Sequence, residues 1–192
     1  MAGIVLTGGP GTGKTTLLNK LNEHGFETVP EAARVFLENK GSRSKRIISE
    51  NQFVMGRNIH KIQREQHKTV TNRHVLDRSP IDPIGYAEAH GKKPTREMLR
   101  TAKAFKPDLV FLLSPLKEYK NDNIRKEDKK LAQRLHEHIR QAYARLGHKI
   151  IEVPDFSKPG MPDAESVELR AEFVKNKIEE SRRATGLRKG LQ

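Results

Sequence analysis

Apolar residues fall in short runs and helical stripes that alternate from one end of the chain to the other. Ile4, Val5 and Leu6 form a run too short for a helix, and it predicts a buried strand over 3–7. Past Thr7 the period changes. Leu17, Leu18 and Leu21 share one side of a helix over 15–24, which Gly25 stops. FETVP (26–30) predicts a second strand, and EAARVFLEN (31–39) a helix that opens at Glu31. Met55, Ile59, Ile62, Gln66 and Val70 recur at spacings of three and four, which predicts a long amphipathic helix over 49–71.

HVLD (74–77) predicts a third strand, followed by a helix over 80–90 that starts on prolines and ends at Gly91. TREMLRTAKAF (95–105) predicts a further helix, capped by Thr95. PDLVFLLSP (107–115) is the most apolar run and predicts a central strand. The stretch 117–130 is almost wholly polar and predicts a mobile excursion. Leu131, Leu135, Ile139, Ala142 and Leu146 then give a helical stripe closed by Gly147, HKIIEVP (148–154) gives a fifth strand, and Val167, Ala171, Val174 and Ile178 mark a last helix.

Strands alternating with helices predict an α/β fold of three layers, with a five-stranded parallel sheet between helices. A length of 192 residues suits one domain, placed at 1–180, with a basic C-terminal tail over 181–192 that frays. In such sheets ligands bind beyond the carboxyl ends of the strands, so residues there carry the functional expectations.

Composition narrows the partners. Hydrophobic residues make up 34% and charged residues 32%, and the formal net charge is +13. A field of that sign draws in polyanions, whether nucleoside triphosphates, a nucleic-acid backbone or an anionic membrane. KGSRSKR (40–46) and the tail each carry four cations and no acid. Aromatics are sparse and not interleaved with these cations, so no stacking platform for single strands is evident. With no cysteine, disulfide and thiolate chemistry are excluded. No stretch reads as a signal peptide or reaches the roughly 20 apolar residues of a membrane span, so a cytoplasmic protein without a transmembrane segment is expected. His60 with His67, and His136 with His138, lack metal-site spacing.

Between the first strand and first helix stands GGPGTGKTT: Gly8, Gly9, Pro10, Gly11, Thr12, Gly13, Lys14, Thr15 and Thr16. Gly8, Gly13, Lys14 and Thr15 fit G-x-x-x-x-G-K-[ST], the P-loop or Walker A motif. Its glycines leave successive amides free to surround phosphate oxygens, and the helix that follows adds positive polarity. Lys14 would reach the β- and γ-phosphates of ATP or GTP, and the Thr15 hydroxyl would ligate Mg2+. A dinucleotide site of the G-x-G-x-x-G type is excluded, because Lys14 stands where that motif needs glycine.

Other strand ends supply Glu31 and Arg34 in VPEAAR and Asp77 and Arg78 in VLDRSP, while NDNIRKED offers Arg125. These segments carry a resemblance. TGGPGTGKTTLLNKL, VPEAAR, VLDRSPIDPIGYA, LVFLLSPLKEYKNDNIRKED and AYARLGHKIIEVP resemble, in that order, P-loop nucleotide kinase-like ATPases related to the nicotinamide riboside kinase part of bifunctional NAD-regulating proteins. VPEAAR and DRS are also similar to segments of deoxynucleoside and thymidylate kinases. The resemblance spans nearly all of 3–154 and implies a doubly wound sheet, use of magnesium-ATP and a lid, here about 117–130.

By the same resemblance, Glu31 matches the carboxylate that takes a proton from the acceptor hydroxyl. Asp77 matches an acid near the magnesium or the acceptor, Arg78 an arginine that orients phosphate oxygens, and Arg125 the lid arginine. Plainer roles stay open: Glu31 as a helix-dipole partner, Arg78 as a partner of Asp77 or a carbonyl, Arg125 as part of a solvated face. Arg34, Gln52, Phe53, Arg57 and Tyr86 include no firm reader of an acceptor base, and Val153 to Phe156 are a positional guess for the nucleotide base. The expected activity is transfer of the ATP γ-phosphate to a small hydroxylated acceptor such as a nucleoside or nucleotide. Two alternatives share the residues: a nucleotide-dependent switch that binds a protein or anionic lipid, and a polynucleotide end kinase.

Overall fold

A computed structural model describes residues 3–32, 70–71, 73–116, 129–184 and 186. Five strands, β1 (Ile4–Thr7), β2 (Glu27–Val29), β3 (His74–Asp77), β4 (Leu109–Leu113) and β5 (Ile150–Val153), form one sheet in the order β2-β3-β1-β4-β5. Every pairing is parallel. The helices are α1 (Lys14–Glu23), α2 (Asp82–Ala89), α3 (Arg96–Ala104), α4 (Lys129–Arg145) and α5 (Asp163–Ala184).

The strand period of two sends side chains to opposite faces, and each face has its own core. Ile4, Leu6, Val75, Phe111 and Leu113 pack with Leu17 and Leu21 of α1 and Val174 and Ile178 of α5. Val5, Leu76 and Val110 pack on the other side with Ile84 of α2, Ala102 of α3 and Ile139, Ala142 and Tyr143 of α4. Helices therefore cover both faces, which is why these strands read as continuous apolar runs. Helices α2 and α4 approach so closely that a Cβ at Gly85 would lie 2.6 Å from the Ile139 backbone.

All five expected strands are present; the third has the expected bounds, the first begins one residue later, and the other three are shorter at both ends. Thr95 caps α3 as expected, its hydroxyl accepting from the Met98 amide at 3.2 Å. Helix α2 starts later than 80. The Asp82 carboxylate takes the Ser79 amide and the Ser79 hydroxyl takes the Ile81 amide, which holds 79–82 in a turn. Helix α5 runs to Ala184, four residues into the expected tail. Glu179 pairs with Arg183 across one turn, supplying an acid that the tail itself lacks. Among the described residues no helix is long and apolar enough to cross a membrane.

The helices expected over 31–39 and 49–71 lie outside the described residues apart from their end residues, and so does the basic loop at 40–46. The expected lid over 117–130 does too, except that residues 129–130 belong to α4.

Candidate active site

The turn that follows β1 wraps back on itself before entering α1. Gly13 caps α1 in the left-handed region (φ 80°), and Gly8 has φ 136°, so a side chain would strain both. A Cβ at Gly8 would also lie 3.0 Å from the Leu113 carbonyl. Thr12 Oγ1 donates to the Gly9 carbonyl at 3.1 Å and tightens the loop across Pro10 and Gly11. Thr15 starts the open side of α1, and Thr16 is exposed.

Lys14 is 5% exposed and folds into this loop. Its Nζ donates to the Gly8 carbonyl at 3.0 Å, the Gly9 carbonyl at 2.7 Å and Thr12 Oγ1 at 3.2 Å. The ammonium thus occupies the loop's own interior. Burial, and after it the Arg78 charge, lower its pKa to about 7, against the pull of Asp77, Glu31 and Asp82.

Parallel pairing of β1 with β3 sets Asp77 opposite Leu6 and brings its carboxylate to α1. Thr15 Oγ1 donates to Asp77 Oδ2 at 3.2 Å, while the buried Oδ1 has no hydrogen-bond partner. Burial raises the Asp77 pKa, opposed by Lys14 and Arg78. A hydroxyl beside a carboxylate with one unsatisfied oxygen suits magnesium, which takes one or two carboxylates and fills its other positions with water and phosphate. Among the described residues no group of three or more His, Cys, Asp or Glu forms a self-sufficient metal cage.

Arg78 is non-glycine at φ 73°, a strained backbone held by its amide donating to the Leu6 carbonyl at 2.9 Å. Its Nε donates to Glu31 Oε1 at 2.7 Å, and its Nη1 to the Gly8 carbonyl and Asp82 Oδ1, each at 3.3 Å. The guanidinium also sits 5.0 Å over the Tyr86 ring. Glu31 and Arg78 therefore meet. Arg78 pairs with Glu31 and Asp82, while Asp77 accepts from Thr15. Arg125, and with it Arg34, Gln52, Phe53 and Arg57, lies outside the described residues.

Three residues of this site had not been expected. Asp82, 1% exposed, accepts from Thr7 Oγ1 (2.6 Å), Arg78 Nη1, the Ser79 amide (2.9 Å) and the Tyr143 hydroxyl (2.6 Å). His136 of α4 accepts from the Gly9 amide through Nδ1 at 3.3 Å. Burial, then Lys14, lower its pKa, which favours this neutral acceptor. Arg170 of α5 is buried against the loop from the other face. A separate cavity lined by Pro107, Leu109, His148 and Ile151 opens at the amino ends of β4 and β5, away from these groups.

Comparison with known proteins bears on the fold and the family. The model of a family described as AAA domain matches residues 3–159. Among solved structures, thymidylate kinase from Ehrlichia chaffeensis is 14% identical with a TM-score of 0.64, over 92% of this chain and 98% of that one. Deoxyadenosine kinase from M. mycoides is 15% identical with a TM-score of 0.59, over 93% and 98%. NadR protein in complex with NR is 19% identical with a TM-score of 0.65, over 100% of this chain and 54% of that one. No curated protein matches the sequence. These likenesses are of fold: a five-stranded parallel sheet in the arrangement of P-loop kinases. With its loop of glycines on β1 and a family match over most of its length, the chain belongs to the AAA domain family.

Proposed function

We propose that the protein is a magnesium-dependent kinase that moves the γ-phosphate of ATP to a small hydroxylated acceptor, a nucleoside or nucleotide. One observation carries this reading: Lys14, the Thr15–Asp77 pair and the Glu31–Arg78 pair converge at the carboxyl ends of three neighbouring strands. The folds of thymidylate kinase and deoxyadenosine kinase support it, and they direct the choice of acceptors.

Each group has work that suits its chemistry. The loop amides and the α1 amino end bind phosphate oxygens. Lys14 leaves the Gly8 and Gly9 carbonyls for the triphosphate, where it gains an anionic partner. Thr15 and Asp77 hold magnesium, which when bound neutralises charge on the β- and γ-phosphates. Arg78, fixed by Glu31 and Asp82, orients the γ-phosphoryl oxygens. Glu31 takes the acceptor's proton as the acceptor oxygen bonds to phosphorus and the bond to the β-phosphate oxygen breaks.

Incubation with magnesium-ATP and a nucleoside panel that includes nicotinamide riboside tests this. A phosphorylated acceptor is expected. ATP binding without phosphate transfer to any member would contradict it.

A further inference from the structure

One guanidinium on the far side of the loop grips three carbonyls. Arg170, on the third turn of α5 and 2% exposed, donates through Nη1 to Thr12 O at 2.7 Å, through Nη2 to Ser114 O at 3.0 Å and through Nε to Pro154 O at 3.0 Å. Those carbonyls belong to the P-loop, the residue after β4 and the residue after β5. Around Arg170 the helix face is aliphatic, with Ala171 and Val174 in the core.

Removing a guanidinium from water costs several kcal/mol, and an apolar side chain of similar volume is often as stabilising or more so. Burial lowers the Arg170 pKa, and Asp155 works against that. A cation kept at such a cost calls for a directional role. Peptide planarity supplies one. In a trans peptide the C=O and the following N–H point in opposite directions, and no peptide bond among the described residues is cis. With Thr12 O drawn towards Arg170, the Gly13 N–H faces the opposite way. Gly13 itself lies against the guanidinium, since a Cβ there would sit 3.4 Å from Nη1.

The third bond adds a second constraint. Pro154 immediately precedes Asp155 and Phe156, and Phe156 packs on Phe173 of α5 with ring centroids 5.9 Å apart. Arg170 thereby ties the phosphate end of the site to the segment where the nucleotide base was expected. Lysine, with a single nitrogen, does not reproduce a rigid fork that spans three separate carbonyls.

We propose that Arg170 is a positioning residue for nucleotide binding, which aims the Gly13 amide into the phosphate cradle and fixes that cradle to the loop after β5. This rests on the nucleotide-binding reading given above.

The test titrates magnesium-ATP and, separately, tripolyphosphate into wild type, Arg170→Lys and Arg170→Ala, with thermal melting of each. Both variants are expected to fold and to lose about tenfold in affinity for ATP, near 1.4 kcal/mol, with tripolyphosphate weakened as well. Added guanidinium should restore ATP binding to Arg170→Ala and leave Arg170→Lys unchanged, a response that a general loss of packing would not give. Folded variants that bind as wild type does would overturn the inference alone. So would failure of both variants to fold, since Arg170 would then hold the domain rather than the site. A wild type that binds neither ligand would overturn the proposed function and this inference with it.

Discussion

Thr15 and Asp77 stand 62 positions apart in the chain, yet the Thr15 hydroxyl donates to Asp77 Oδ2 at 3.2 Å. The β1–β3 register brings the two together, and the buried Asp77 Oδ1 is left without a hydrogen-bond partner. Asp77→Asn keeps an oxygen for Thr15 and removes a charge that burial opposes. Its melting temperature should stay close to that of wild type. Turnover with magnesium should drop on the order of a hundredfold, with a smaller change in ATP affinity. Melting curves beside steady-state kinetics check both halves.

Lys14 gives a pH dependence whose sign is fixed. Its pKa is lowered to about 7 by burial and the Arg78 charge, so it is largely neutral near pH 8. A bound triphosphate favours the ammonium and raises that pKa. Binding should therefore take up a proton at about pH 8 and almost none at about pH 6. Affinity should fall as pH climbs above 7. Calorimetry in buffers of different ionisation heat measures the uptake directly.

Asp82 and Tyr143 should govern stability. Tyr143→Phe removes the hydroxyl shared by Asp82 and Ser79 and should cost about 1–3 kcal/mol. Asp82→Ala leaves the buried Arg78 without one of its carboxylates and should cost more, about 3–5 kcal/mol. Urea unfolding checks the order of the two.

Much of this was legible in the chain because the local signals were strong. The P-loop spacing reflects backbone demands, so Lys14 and Thr15 could be assigned from their neighbours alone. Asp77 and Arg78 were found by their place at a strand end, but their partners were not. Nothing local says that Asp77 turns to Thr15 and leaves Arg78 to Glu31 and Asp82. Asp82 was not singled out, since two of its partners, Thr7 and Tyr143, lie 75 and 61 positions away. A usable signal did exist for Arg170 and His136. Arg170 shares its helical stripe with Val167, Ala171 and Val174, and His136 shares one with Ala132, Ile139 and Tyr143. A polar residue inside an apolar stripe marks a buried group that needs a partner.

Titration of magnesium-ATP into the intact protein, alongside Lys14→Ala, tests most directly whether the loop after β1 holds a triphosphate. Saturable binding by wild type is expected, weakened at least tenfold in Lys14→Ala, which removes the ammonium now resting on the Gly8 and Gly9 carbonyls. No binding by wild type, or equal binding by the two proteins, would contradict it.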